Sequence, residues 1–218
     1  MSSDRTVVTM RVADEAGRRD VIDILRATYH AEKRWVSDAS GQFPPGDLQR
    51  AEISWFVVKM EGKPAGVLRV LYDPPLAEYA KYGFKLLDKA PDINEFMRDN
   101  RVAEIGRFAV LPEYRGKIIL AAVLMGRATE ETLERGFTHF VTDVFEDDPH
   151  SPLGFHTRVM GFRAVATHDV GELHSRSRRI TMILDLKAAY KRLRARRNWI
   201  FRYLTGTWAE ALHQRLVA

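Results

Sequence analysis

"VAEIGRFAVLPEYRGKIILAAVLM", Val102 to Met125, decides how this chain is to be read. Its first nine residues, rich in β-branched and aromatic side chains, predict a strand. Pro112 and Gly116 bracket a turn, and the apolar residues that follow predict a helix. Strand–turn–helix units of this shape often cradle a phosphate, because the first N–H groups of a helix are unpaired. Here the glycines that would let backbone close on a phosphate are missing after Gly116, and Ile118, Ile119 and Leu120 stand in their place.

Working outward, "TVVTMRVA" predicts a first strand. "DEAGRRDVIDILRATYHAEKRWV" predicts a helix with Ile22, Leu25 and Tyr29 on one face and acids in its first turn. A polar loop broken by glycine and proline follows, Ser37 to Glu52. "ISWFVVKM", the turn "EGKP" and "AGVLRVLYD" predict an antiparallel hairpin. Residues 75–100 predict a helix with a charged exit. Beyond the opening stretch come a helix ending at Gly136, the strand "FTHFVTDVF", a short helix in "SPLGFHTRVMGF", and the strands "FRAVATHDV" and "RRITMILDL". That order predicts an α/β fold, one mixed central sheet with helices on both faces.

After Leu186 the character changes. Leu186, Tyr190, Leu193, Ile200, Leu204 and Trp208 recur at helical spacing, Gly206 ends one helix, and "TWAE" (Thr207 to Glu210) reads as a capping box opening another. The expected organisation is one domain over 1–186 with a basic amphipathic helical appendix over 187–218.

Composition narrows the function. With 218 residues, 45% hydrophobic, the chain can bury one good core. It has no cysteine, so disulfides, thiolate metal sites and cysteine nucleophiles are excluded. His139, His150, His168 and His174 show no metal-ligand spacing, and no metal is expected. No signal-peptide core and no run of about 20 apolar residues is visible, so a cytoplasmic location is expected. The net charge of +5 concentrates in Lys187–Arg202, seven basic residues and no acid, which suits an acidic partner or an anionic membrane face. No motif for reading a nucleic acid groove accompanies it, and nucleic acid is not an expected partner.

The element order, with "VLPEYRG" leading into the long helix and "MGF" near the end, resembles the GNAT acyltransferase superfamily over about residues 6–186. In that superfamily the turn wraps the pyrophosphate of coenzyme A through an Arg/Gln-x-x-Gly-x-Gly/Ala pattern, of which only Gly116 survives here. Acyl-homoserine-lactone synthases and long-chain N-acyl amino acid synthases also lack these glycines and tend to take acyl groups from acyl carrier protein. Their Glu-x-x-Arg-Phe-x-Val strand is matched by Glu104, Arg107, Phe108 and Val110. "GVLRV" resembles their strand bearing a conserved arginine, at Arg69. "RATYHAEKRW" approximates their N-terminal pattern with Arg26, Tyr29 and Trp35. Asp38 and Asp47 lie where an acidic loop is expected, without a choice between them. "FHTRVMGF" resembles the Phe-Tyr-x-Arg-x-x-Gly-Phe segment, with His156 in place of tyrosine.

The resemblance implies roles. An amine attacks a thioester only when neutral, so a base must take its proton, and Glu104 is the candidate, with Arg107 beside it in sequence. A structural Glu104–Arg107 ion pair is the plainer alternative. Backbone N–H groups near Phe108 to Val110 are implied as oxyanion donors. His156, with a near-neutral pKa, or Thr157 would protonate the leaving thiolate. Arg115 and Gly116 would hold a phosphate oxygen of the donor's pantetheine arm, and Arg69, Trp35 and Asp47 would serve the acceptor side. Trp35, Trp55 and Phe108 would line an acyl tunnel, whereas Ile118, Ile119, Ala122 and Val123 read as core.

The expected function is transfer of a medium or long fatty acyl group from acyl carrier protein to a primary amine, an amino acid or a peptide side chain. No tightly bound cofactor is expected, only an acyl-phosphopantetheine donor. The rivals are an acetyl transfer from coenzyme A to a small amine or protein lysine, and a non-catalytic scaffold that binds membrane or nucleic acid. The basic stretch 187–208 is expected to meet the carrier protein, with peripheral contact to the inner membrane face as the competing use.

Overall fold

The computed structural model describes residues 6–88, 90–197 and 199–217. Eight strands are hydrogen-bonded in the order β1-β2-β3-β5-β6-β8-β7-β4. They are β1 Val7–Arg11, β2 Ile53–Met60, β3 Lys63–Tyr72, β4 Lys85–Leu86, β5 Val102–Val110, β6 His139–Phe145, β7 Arg163–His168 and β8 Arg179–Asp185. The α-helices are α1 Glu15–Leu25, α2 Ile93–Asp99, α3 Ile118–Glu134, α4 Leu186–Ala195, α5 Trp199–Thr205 and α6 Glu210–Val217. The chain divides into two compact units, each assembled from separate stretches of sequence.

Unit 1 comprises Met1–Val70, Gly106–Glu131 and Asn198–Trp208. β1 lies antiparallel to β2, with Met10 opposite Val57. Glu61 and Gly62 both take left-handed backbone angles (φ 52° and 78°), the requirement of the tight turn that matches strand twist, so "EGKP" closes a hairpin into β3. Ile53 to Val58 are all buried, which for a strand means that both faces are covered. Asp14 caps α1 by accepting the Gly17 N–H at 2.8 Å. The helix continues as a wider π-helical turn, Arg26–Glu32. α5 lies directly on α3: a Cβ at Gly126 would run into the Leu204 carbonyl, and the buried Trp208 donates its indole N–H to the Gly126 carbonyl at 3.2 Å. That use of Trp208 explains why the expected capping box does not open a helix at Thr207; α6 starts only at Glu210.

Unit 2 comprises Leu71–Ile105, Thr132–Arg197 and Ala209–Ala218. β5 pairs parallel with β6, and β6, β8, β7 and β4 continue antiparallel. The helix expected over 75–100 is not formed. Gly83 turns left-handed (φ 69°), and the segment divides into a 3₁₀ turn Leu76–Tyr82, the short edge strand β4, and α2. A second π-helical turn, Phe155–Met160, ends at Gly161 (φ 84°). There Arg192 of α4 reaches in and donates to the Met160 carbonyl, filling the space a side chain at Gly161 would need. α4 and α6 are joined by Tyr190 and His213, 2.8 Å apart at Oη and Nδ1. All six residues of the expected apolar appendix stripe, Leu186, Tyr190, Leu193, Ile200, Leu204 and Trp208, are buried.

Candidate active site

Strand β5 carries four of the residues singled out by the sequence, Glu104, Arg107, Phe108 and Val110. In unit 2, Glu104 stands opposite Val141 of β6 and is half-buried. The hydroxyl of Tyr79, from the 3₁₀ turn Leu76–Tyr82, donates to Glu104 Oε2. Tyr79 stacks on Tyr82 at 5.6 Å between ring centres. Tyr82 in turn lies parallel to the ring of His168 at 5.9 Å, and Phe84 meets that ring edge-on at 4.6 Å.

His168 is buried, with Nε2 3.0 Å from Asp143 Oδ2 and Nδ1 2.7 Å from the Val170 carbonyl. Both ring nitrogens face oxygen acceptors, an arrangement that favours the protonated ring. Burial alone would lower its pKa. The hydrogen bond and charge of Asp143, with the Val170 carbonyl, outweigh that and raise it. Thr181 donates to the other Asp143 oxygen at 2.6 Å. The Tyr82 hydroxyl is pushed up by burial, then by the carboxylates of Glu172, Glu104 and Asp143, and so keeps its proton. None of Tyr79, Tyr82, Asp143 or His168 was singled out for function in the sequence. The only signal was a pair of tyrosines three apart before a glycine.

His156 has the opposite surroundings. It lies in the π-helical turn, 1% exposed, between Phe162 at 4.7 Å and Phe155 at 5.9 Å. Burial lowers its pKa to about 3, so the ring is neutral at pH 7. The near-neutral pKa expected from the sequence is corrected: an apolar pocket cannot hold an imidazolium, and an acid of this strength has no proton to offer a thiolate at pH 7. Thr157 returns its hydroxyl to the Leu153 carbonyl at 2.8 Å.

In unit 1, Arg107 has a left-handed backbone (φ 53°) inside a strand, a conformation that interrupts pleating and re-aims the side chains around it. Its Nε donates to Gln42 Oε1 at 2.8 Å. Phe108 and Val110 are half-buried. The Ala109 carbonyl would lie 2.9 Å from a Cβ at Gly66, so only glycine fits there.

The turn after β5 is closed on itself. Tyr114, Arg115, Lys117, Ile118 and Leu120 direct their N–H groups to the carbonyls of Leu111, Pro112, Tyr114, Gly116 and Lys117. Arg115 forms a two-pronged ion pair with Glu32, at 2.8 and 2.5 Å, and its Nε donates to the Val110 carbonyl at 3.3 Å. The Lys117 ammonium sits 5.0 Å over the Tyr114 ring. Gly116 is left-handed (φ 81°) with open space where a Cβ would stand. Of the apolar residues read as core in α3, only Ala122 is buried; Ile118 is exposed, and Leu120, Leu124 and Met125 take the core positions, because the helix turns that stripe inward.

The remaining candidates are spread over unit 1. Arg69 is half-buried on β3. Trp35 meets Tyr29 edge-on at 5.1 Å. Asp47 is buried, 3.5 Å from Arg50, whereas Asp38 is exposed and holds Ser40, whose hydroxyl and N–H keep its carboxyl below the usual range. Trp55 is fully buried and stacked on Phe43 at 4.5 Å, an arrangement of core packing. On α4 of unit 2, Lys187, Lys191 and Arg194 are exposed, as are Arg196 and Arg197 just after it, while Arg192 is turned inward. Among the described residues no group of three acidic, histidine or cysteine side chains is arranged to hold a metal ion. No helix among them is long and apolar enough to cross a membrane.

Residues 18–162 match the model of the acetyltransferase (GNAT) family, and the chain belongs to that family. No curated protein matches the sequence. Among solved structures it is similar to FeeM, an N-acyl amino acid synthase from uncultured soil microbes, with 16% identity and a TM-score of 0.65 over 86% of this chain and 94% of that one. It is similar also to a ribosomal-protein-alanine N-acetyltransferase from Brucella melitensis, with 15% identity and a TM-score of 0.59 over 82% and 99%. An agmatine N-acetyltransferase gives 13% identity and the same TM-score of 0.59, over 82% and 99%. At such identities the likeness is one of fold.

Proposed function

We propose that the protein is an N-acyltransferase that moves a medium or long fatty acyl group from an acyl carrier protein thioester to a primary amine. The observation that carries the choice of donor is the turn after β5. Five of its N–H groups, those of Tyr114, Arg115, Lys117, Ile118 and Leu120, are engaged by its own carbonyls and its arginine by Glu32, an arrangement that suits a single phosphodiester better than the pyrophosphate of coenzyme A. FeeM, similar in fold, is an N-acyl amino acid synthase, which supports an amino acid as acceptor. The exposed cations of α4 give an acidic carrier a face to approach.

Glu104 takes a proton from the ammonium, and Tyr79 holds the second carboxylate oxygen so that the first faces the amine. The nitrogen lone pair then adds to the thioester carbon, and the carbonyl π electrons move to oxygen. Collapse breaks the C–S bond, the adduct nitrogen gives its second proton through water to the departing pantetheine thiolate, and protonated Glu104 returns the first proton to solvent. Arg69 offers a planar fork for the acceptor's carboxylate, and Trp35 and Asp47 are assigned to the acceptor side.

The test is thiol release with octanoyl and palmitoyl groups, each offered on carrier protein and on coenzyme A, with a pool of amino acids as acceptors and mass spectrometry of products. At least a tenfold preference in kcat/KM for the carrier protein is expected, about 1.4 kcal/mol of discrimination. Preference for coenzyme A would return the enzyme to the acetyltransferase reading.

A further inference from the structure

The Glu32–Arg115 pair belongs to the turn after β5 and stays in reach of solvent: Arg115 keeps 23% of its side-chain surface and Glu32 28%. The fork geometry nevertheless uses both terminal nitrogens of the guanidinium on one carboxylate. Lys33 stands 3.6 Å from the same carboxylate, so Glu32 is held by two cations. Lys117 is close by in sequence but lies over an aromatic ring. A carboxylate is thus fixed on the guanidinium where an incoming phosphate would otherwise bind. Its repulsion grows with the charge of the ligand, weak against a phosphodiester of one charge and strong against the several charges of coenzyme A.

We propose that Glu32 is a specificity-determining residue: it occupies Arg115 and so excludes polyphosphate donors, leaving carrier-bound phosphopantetheine as the ligand that the turn admits. This rests on the acyltransferase reading given above and deepens its choice of donor. The carboxylate comes from the π-helical turn Arg26–Glu32 rather than from the phosphate turn itself, so the exclusion is built by a separate element.

The test compares Glu32→Gln with the unaltered enzyme, using KM for both donors and calorimetric binding of desulfo-coenzyme A, a readout independent of turnover. KM and Kd for the coenzyme A ligands should fall about tenfold, while KM for the carrier donor moves less than about threefold. The double variant Glu32→Gln with Arg115→Gln should lose the gain, because the freed guanidinium is its source. Glu113→Gln removes the same charge from an exposed place in the same turn and should shift neither constant. Equal shifts for both donors, no shift, or an equal effect of Glu113→Gln would overturn the proposal. Thermal melting of each variant separates these outcomes from misfolding. If the unaltered enzyme prefers coenzyme A, the proposed donor is wrong, yet the coenzyme A response of Glu32→Gln still decides the role of Glu32.

Discussion

The two ends of strand β5 treat their charged side chains in opposite ways. At its beginning Glu104 is half-buried and accepts from a neutral hydroxyl, that of Tyr79. Beyond its end Arg115 is matched by a carboxylate, with every prong engaged. A hydroxyl partner adds no countercharge to a carboxylate, whereas the carboxylate on Arg115 matches the charge of the guanidinium. On the function proposed above, one end would serve exchange of protons and the other selection among anions.

The sharpest way to break this contrast is Glu104→Gln, which preserves shape and removes the base. A fall in kcat of about 10²- to 10⁴-fold is expected, with an unchanged melting temperature; undiminished turnover would strip Glu104 of its role. Next comes acid stability, through His156. The unfolded ring takes a proton near pH 6.5, the folded one only near 3, so its contribution is full above 6.5 and is lost as pH falls towards 3. The loss reaches about 5 kcal/mol at most. Calorimetric midpoints between pH 7 and 4 should therefore decline less for His156→Leu than for the unaltered protein. Parallel declines would mean that the ring is not the acid-sensitive group. The smallest effect belongs to Tyr79→Phe, which should lower kcat about tenfold without raising KM for the amine. A rise in KM alone would make Tyr79 a binding residue.

Much of the fold was legible because it follows local rules. The Glu61-Gly62 turn, the end of α3 before Gly136 and the buried stripe on the appendix each depend on spacing or on a residue's own backbone preference. Where tertiary contacts decide, the sequence was silent. Residues 75–100 carry enough helical spacing to suggest one helix, but Tyr79 is held by Glu104 and Leu86 pairs with Ala166 of β7. Thr207 lost its capping box because Trp208 is drawn to Gly126. In the site, Glu104 and Arg107 were visible through a motif. Glu32 was not, since its partner lies 83 residues away and one glutamate among "HAEKRW" carries no sign of it. The left-handed backbone of Arg107 is equally hidden, because arginine has no preference for it.

The seat of α5 on Gly126 has a consequence for how the protein comes into being. Residues up to Val70 and the first turns of α3 are synthesised early, but the helix that covers α3 is encoded some seventy residues after Gly126. At a translation rate of roughly 5–20 residues per second, that face of α3 stays bare for several seconds on the ribosome. A stop codon anywhere before Trp199 leaves that face of α3 without the helix that covers it.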